Sequence, residues 1–133
     1  MTRVLAPVRY PVNGNSRLTL ERALEEAGDD GDVVVLHVNL YQTGQKVSRG
    51  DLRREVEPHL DGKTADVYYA VRRGFMVEEA ILEEAVNSDV DVVVVGKTRA
   101  GRLRRAIRRL MGNDPEIEDF LSDHFDARIE VVG

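Results

Sequence analysis

The sequence predicts a doubly wound α/β sandwich, a parallel sheet of five strands with helices on both faces, and three observations carry that expectation. The segment Val90-Asp91-Val92-Val93-Val94-Val95 is a nearly continuous apolar run, as is Val33-Val34-Val35-Leu36, and such runs are buried on both faces as central parallel strands are. Strand-like and helix-like segments alternate along the whole chain, and right-handed crossovers between parallel strands lay the helices on both faces. The 133 residues are 42% hydrophobic with no Trp and 5% aromatic residues, a core of Val, Leu, Ile and Ala that suits one domain of this kind.

Each element has a local reason. Arg3-Val4-Leu5-Ala6-Pro7-Val8 reads as the first strand, with Pro7 near the point where ladder hydrogen bonding stops. After the turn Tyr10–Asn15, Asn15 or Ser16 is expected to cap a helix in which Leu18, Leu20, Ala23, Leu24 and Ala27 repeat at helical spacing before Gly28. Asp32–Val38 is the second strand, and polar residues from Asn39 to Val47 overhang its carboxyl end. Ser48 heads a charged helix through Asp51, Leu52, Val56 and Leu60, which Asp61-Gly62 stops. Ala65–Val71 alternates only partly, as expected nearer a sheet edge. Met76–Asn87 sets Val77, Ala80, Ile81, Ala85 and Val86 against Glu78, Glu79, Glu83 and Glu84 on the opposite face. The fourth strand, Val90–Val95, runs into a cationic loop expected over Gly96–Gly101. A helix with Leu103, Ala106, Ile107 and Leu110 as its apolar stripe follows. Asn113-Asp114-Pro115 signals one more helix, through Ile117, Phe120, Leu121 and His124, before the last strand Arg128–Val132.

Composition removes several classes of function. The chain has no cysteine, and His37, His59 and His124 are far apart, so no thiolate chemistry and no zinc site are expected. Ser16, Ser48, Ser88 and Ser122 lack a nucleophile-elbow context, and the paired glutamates read as a solvated helix face, so an enzyme is not expected. No apolar stretch reaches the length of a membrane span, and the expected location is cytoplasmic. A net charge of −5 argues against nucleic acid. Arg99, Arg102, Arg104, Arg105, Arg108 and Arg109 nevertheless crowd together, either as a solvated face balanced by Glu78, Glu79, Glu83 and Glu84 or as a patch for an anion or an acidic protein partner. Open parallel sheets bind ligands at the carboxyl ends of their strands, so a crevice is expected between the first and fourth strands, at Gly96. His37, inside an apolar strand, reads as a buried, hydrogen-bonded histidine.

These landmarks resemble those of the universal stress proteins over nearly the whole chain. Val4–Val8 is similar to the family's opening strand, Leu36-His37-Val38 to its second, Gly74–Ile81 to its glycine-led helix, and Val92–Gly96 to the start of its nucleotide loop. The resemblance implies the strand order 3-2-1-4-5, a homodimer formed through the last strand, and ATP or another adenine nucleotide as ligand. It also implies a loop of the form Gly-x2-Gly-x9-Gly-Ser/Thr, with Gly96 as its first glycine and Gly112 as its last. Arg99 stands where the second glycine belongs, Gly101 comes two residues late, the interval to Gly112 is too long, and Asn113 replaces the hydroxyl residue. Arg9 stands where nucleotide-binding members carry an aspartate. By resemblance, Val38 and Asn39 face the adenine. The implied site thus gathers Pro7, Val8 and Arg9 with Val38 and Asn39, the stretch Val95–Gly101 including Lys97, and Gly112 with Asn113. Two readings follow from this altered loop: a stress-response domain that binds a nucleotide or other phosphate-bearing ligand weakly, and a ligand-free dimeric interaction module.

Overall fold

The computed structural model describes residues 1–113 and 126–133, residues 110–113 by their backbone alone. Its elements are β1 (Arg3–Pro7), α1 (Gly14–Ala27), β2 (Asp32–Leu40), α2 (Arg49–Val56), β3 (Asp66–Gly74), α3 (Val77–Asn87), β4 (Val92–Gly96), α4 (Lys97–Asn113) and β5 (Arg128–Val132). The expected helix from Asp114-Pro115 to His124 lies outside the described residues. All strand pairs are parallel, in the order β3-β2-β1-β4-β5.

Side chains alternate across the pleat, and the sheet is covered on both sides. Val4, Ala6, Val33, Val35, Val92 and Val94 meet Leu20, Ala23 and Leu24 of α1 and Leu52 and Val56 of α2 on one face. Leu5, Val34, Leu36, Val93 and Val95 meet Ala80, Ile81 and Ala85 of α3 and Ala100, Leu103 and Ala106 of α4 on the other. Burial on both faces explains why β2 and β4 read as unbroken apolar runs while β3, at the edge, is only partly buried.

Several boundaries differ from the sequence expectation. Helix α1 starts at Gly14 with Asn13 as its N-cap, one turn's fraction ahead of the expected Asn15 or Ser16 cap. At its other end Gly28, at φ 70°, donates its N–H to the Leu24 carbonyl. Strand β2 runs on to Leu40 and is shadowed by β3 as far as Gly74, so the overhanging stretch is shorter than expected. Helix α2 stops at Val56 rather than Leu60 because Pro58 has no N–H to continue the ladder, and a 3₁₀ turn, Glu57–His59, takes over. Ser48, the expected head of this helix, closes a capping box with Asp51 at the start of α2.

The largest correction concerns the cationic loop after β4, which does not form. Helix α4 begins at Lys97, directly after Gly96, and runs without interruption to Asn113. Lys, Thr, Arg and Ala are all acceptable helix residues, and Gly101 is carried inside the helix at a cost of about 1 kcal/mol relative to alanine.

Candidate functional site

The crevice comes from a change of winding direction at β1. Helix α1 leaves β1 toward one face and α4 leaves β4 toward the other, so the two connections diverge beyond the paired residues Leu5 and Val93. Two cavities open there, of about 530 Å³ and about 430 Å³, and they share Pro7, Arg9, Arg99 and Arg102 as common walls.

The larger cavity is polar. Asn13, Asn15 and Ser16 bring the start of α1 to it, and Gly96, Lys97 and Thr98 bring the start of α4. Neither helix has an acidic residue in its first turn, so the positive ends of both backbone dipoles face this space uncompensated. Among the described residues, four cationic side chains, Arg9, Lys97, Arg99 and Arg102, line it, and none of the lining side chains is acidic. The Ser16 hydroxyl accepts a 2.8 Å hydrogen bond from the Arg9 backbone N–H, which ties the end of β1 to α1 and fixes the root of the Arg9 side chain. Burial holds the Arg99 guanidinium below its ordinary pKa; Arg9 and Arg102 push the same way, and Glu78 opposes them. At Gly96 a Cβ would meet no atom within 4 Å, so the fold itself does not require glycine there and the backbone lies open to the cavity.

The smaller cavity is more apolar, walled by Leu36, Val38, Leu40, Met76 and Val77. Phe75 stands at its rim, 71% exposed, with its ring centroid 4.8 Å from that of Tyr41. The Gln42 amide fixes this rim by donating to the Phe75 carbonyl at 3.0 Å. His37 is buried in the wall as expected, its Nε2 3.1 Å from both Asn39 Oδ1 and Gln45 Oε1 and its Nδ1 3.4 Å from the Val8 carbonyl.

The structure therefore brings Pro7, Val8, Arg9, Val38, Gly96, Lys97 and Arg99 to one crevice. Other expected site residues stand elsewhere. The Asn39 side chain is committed to the chain after β2, donating to the Val47 carbonyl at 2.9 Å and accepting from the Val47 N–H at 3.1 Å. It shapes the smaller cavity rather than lining it. Val95 is 1% exposed and packs in the core. Gly101 lies inside α4, while Gly112 and Asn113 sit at the far end of that helix, about 24 Å from its first residue at 1.5 Å per residue. No glycine cradle built from Gly96, Gly101 and Gly112 exists in this arrangement.

Sequence reasoning missed Asn13, Asn15, Ser16, Arg102 and Phe75 as lining residues. A signal existed for some of them: the start of a crossover helix after β1 must point at the strand ends, and Arg102 follows Arg99 by one helical turn. The expected balance of the α4 arginines by Glu83 and Glu84 is also corrected. Those glutamates hold Arg72 of β3, at 3.2 and 2.8 Å. Arg104, Arg105, Arg108 and Arg109 are exposed and line neither cavity.

A five-stranded, doubly wound parallel sheet with a crevice where β1 and β4 part defines an open α/β domain of the kind that binds ligands at its strand ends. Residues 1–113 match the Universal stress protein family, and the chain belongs to it. Among solved structures, a universal stress protein in complex with cAMP superposes with a TM-score of 0.61 at 18% identity, over 98% of this chain and 95% of that one. The hypothetical protein MJ0577 does so with a TM-score of 0.53 at 15% identity, over 98% and 94%. The hypothetical protein PH0823 gives a TM-score of 0.51 at 14% identity, also over 98% and 94%. At these identities the likeness establishes the fold. No curated protein sequence matches the chain significantly. Among the described residues no helix is long and apolar enough to cross a membrane.

Proposed function

We propose that this chain is a non-catalytic, cytoplasmic stress-response domain that binds a phosphate-bearing ligand, an adenine nucleotide first among them, in the β1/β4 crevice. The observation that carries the reading is the polar cavity lined by four cationic side chains and two helix starts, beside a more apolar cavity of about 430 Å³ that shares Arg9, Arg99 and Arg102 with it. The cAMP held by one structural relative supports it, since that relative shares the fold. Phosphate goes to the polar cavity and the base to the space between Val38 and Phe75.

Affinity for ATP is expected to be weak at physiological salt. A glycine loop that wraps phosphate with its amides is missing, and each lost hydrogen bond to a charged acceptor costs about 1.5–3 kcal/mol. Guanidinium groups replace part of that attraction but are screened over about 8 Å. Calorimetric titration with ATP should therefore give a dissociation constant of about 1 mM near 0.15 M salt, tightening as salt is lowered. Absence of binding at every ionic strength would refute the reading, and micromolar binding in high salt would refute its weakness.

We also propose a homodimer through β5. That strand is the sheet edge beside β4, with Ile129 half-buried and Val131 38% exposed, and pairing with a second copy satisfies both edges at once. Light scattering should report twice the 14.9 kDa chain mass, and Val131→Pro should halve it. The exposed arginines of α4 that line neither cavity favour an additional acidic protein partner on that helix.

A further inference from the structure

We infer that the crevice selects its ligand by the length of a phosphate chain: it holds a linear triphosphate-sized oligophosphate, free or carried by a nucleotide, through the side chains of Arg9, Arg99 and Arg102. The inference rests on the reading of the polar cavity as a phosphate site and adds what that site discriminates.

Placement is the first argument. Arg9, Arg99 and Arg102 each line both cavities, while Lys97 lines the polar cavity alone. Arg99 and Arg102 are one turn apart on α4, a rise of about 4.5 Å, and Arg9 comes from the end of β1. Three cationic residues are therefore shared between the apolar cavity and the polar one, and the polar cavity's volume of about 530 Å³ exceeds what one phosphate group fills. A single phosphate can meet only part of this array. A chain of phosphates meets successive members of it, each through the two-pronged hydrogen bonding that a guanidinium offers.

Charge is the second argument. Among the described residues lining the polar cavity four side chains are cationic and none is acidic; Glu78 borders only the apolar cavity. Bringing these cations together costs energy that an anion recovers in proportion to the charge it introduces. Binding should therefore climb with phosphate number more steeply than it does in a site built from backbone amides.

The test compares orthophosphate, pyrophosphate, tripolyphosphate, AMP and ATP by calorimetry at low ionic strength. Tripolyphosphate should bind at least about tenfold more tightly than orthophosphate, and ATP should exceed AMP by a similar ratio. Arg99→Gln should compress both ratios to about threefold or less while the variant melts at or above the wild-type temperature. The double variant Arg104→Gln/Arg108→Gln removes more charge from the same helix but outside the cavities, and it should keep the ratios. Equal binding of AMP and ATP would overturn this inference and leave the nucleotide reading standing. So would an equal loss in the Arg104/Arg108 variant, since attraction would then be diffuse. Tripolyphosphate binding without nucleotide binding would uphold the inference and overturn the nucleotide reading, and no binding by any of the five would overturn both.

Discussion

Replacing Gly101 with alanine distinguishes a helix from a phosphate-gripping loop at the entrance to α4. Gly101 is the fifth residue of a 17-residue helix, its φ is not positive, and a Cβ placed on it meets no atom within 4 Å. Nothing in the folded state resists the methyl group. Alanine then gains the full difference in helix propensity, about 0.8–1 kcal/mol. For a domain of this size that raises the melting temperature by about 3–5 °C. Urea unfolding followed by circular dichroism should show a higher midpoint with an unchanged slope. Ligand affinity should stay the same, because Gly101 lines neither cavity. If Gly101 instead sat in a turn of the family's glycine-loop type, with its backbone against a phosphate, alanine would lower stability and binding together. That paired loss would refute the helical start of α4 and every argument placing Arg99 and Arg102 one turn apart.

Asn39→Ala should destabilise the domain by about 2–5 kcal/mol, because the Val47 N–H and C=O would both be left buried without partners. Chemical denaturation measures this, and a loss under about 1 kcal/mol would mean that water replaces the amide. Gly31→Ala should be at least as damaging: its Cβ would lie 2.1 Å from the Ala27 carbonyl oxygen and 2.5 Å from that of Thr2, so backbone must move. Soluble expression and melting temperature report the outcome, and wild-type behaviour would contradict the close approach. Asp51 is held below the ordinary carboxylate range, first by the Ser48 backbone N–H and then by the Ser48 hydroxyl, so its contribution is present above the unfolded-state pKa and fades as pH falls through the folded one. The stability gap between wild type and Asp51→Ala should accordingly narrow from neutral pH to strongly acidic pH. A constant gap would assign the effect to packing.

The parts of the fold that were legible in sequence are those where burial on both faces leaves no choice of residue. Val92–Val95 and Val33–Leu36 admit only strands between two helical layers, and they were read correctly. The misread boundaries lie where a local signal competes with a neighbour. Pro58 ends α2 although apolar spacing continues to Leu60, and β2 and β3 lengthen each other to Leu40 and Gly74 by pairing that no single segment announces. At α4, two glycines and the family's loop pattern suggested an open turn. Yet Lys97-Thr98-Arg99-Ala100 has no residue that resists helix, and burial of Ala100 and Leu103 against the sheet starts the helix at its first opportunity.

The site divides in the same way. Its location was readable because strand ends and helix starts must coincide at the switch of winding, whatever the side chains are. Its composition was not, since Asn13–Ser16, Phe75 and Arg102 come from the start of α1, the β3–α3 connection and α4, which sequence distance keeps apart and only the assembled sheet unites. Arg99, which stands where the resemblance implies a second glycine, lines both cavities. Its side chain is partly buried, and that burial, with Arg9 and Arg102 pushing the same way and Glu78 opposing, holds the guanidinium below its ordinary pKa. A partly desolvated cation lining an opening of this size is a pattern that recognition produces more readily than folding does.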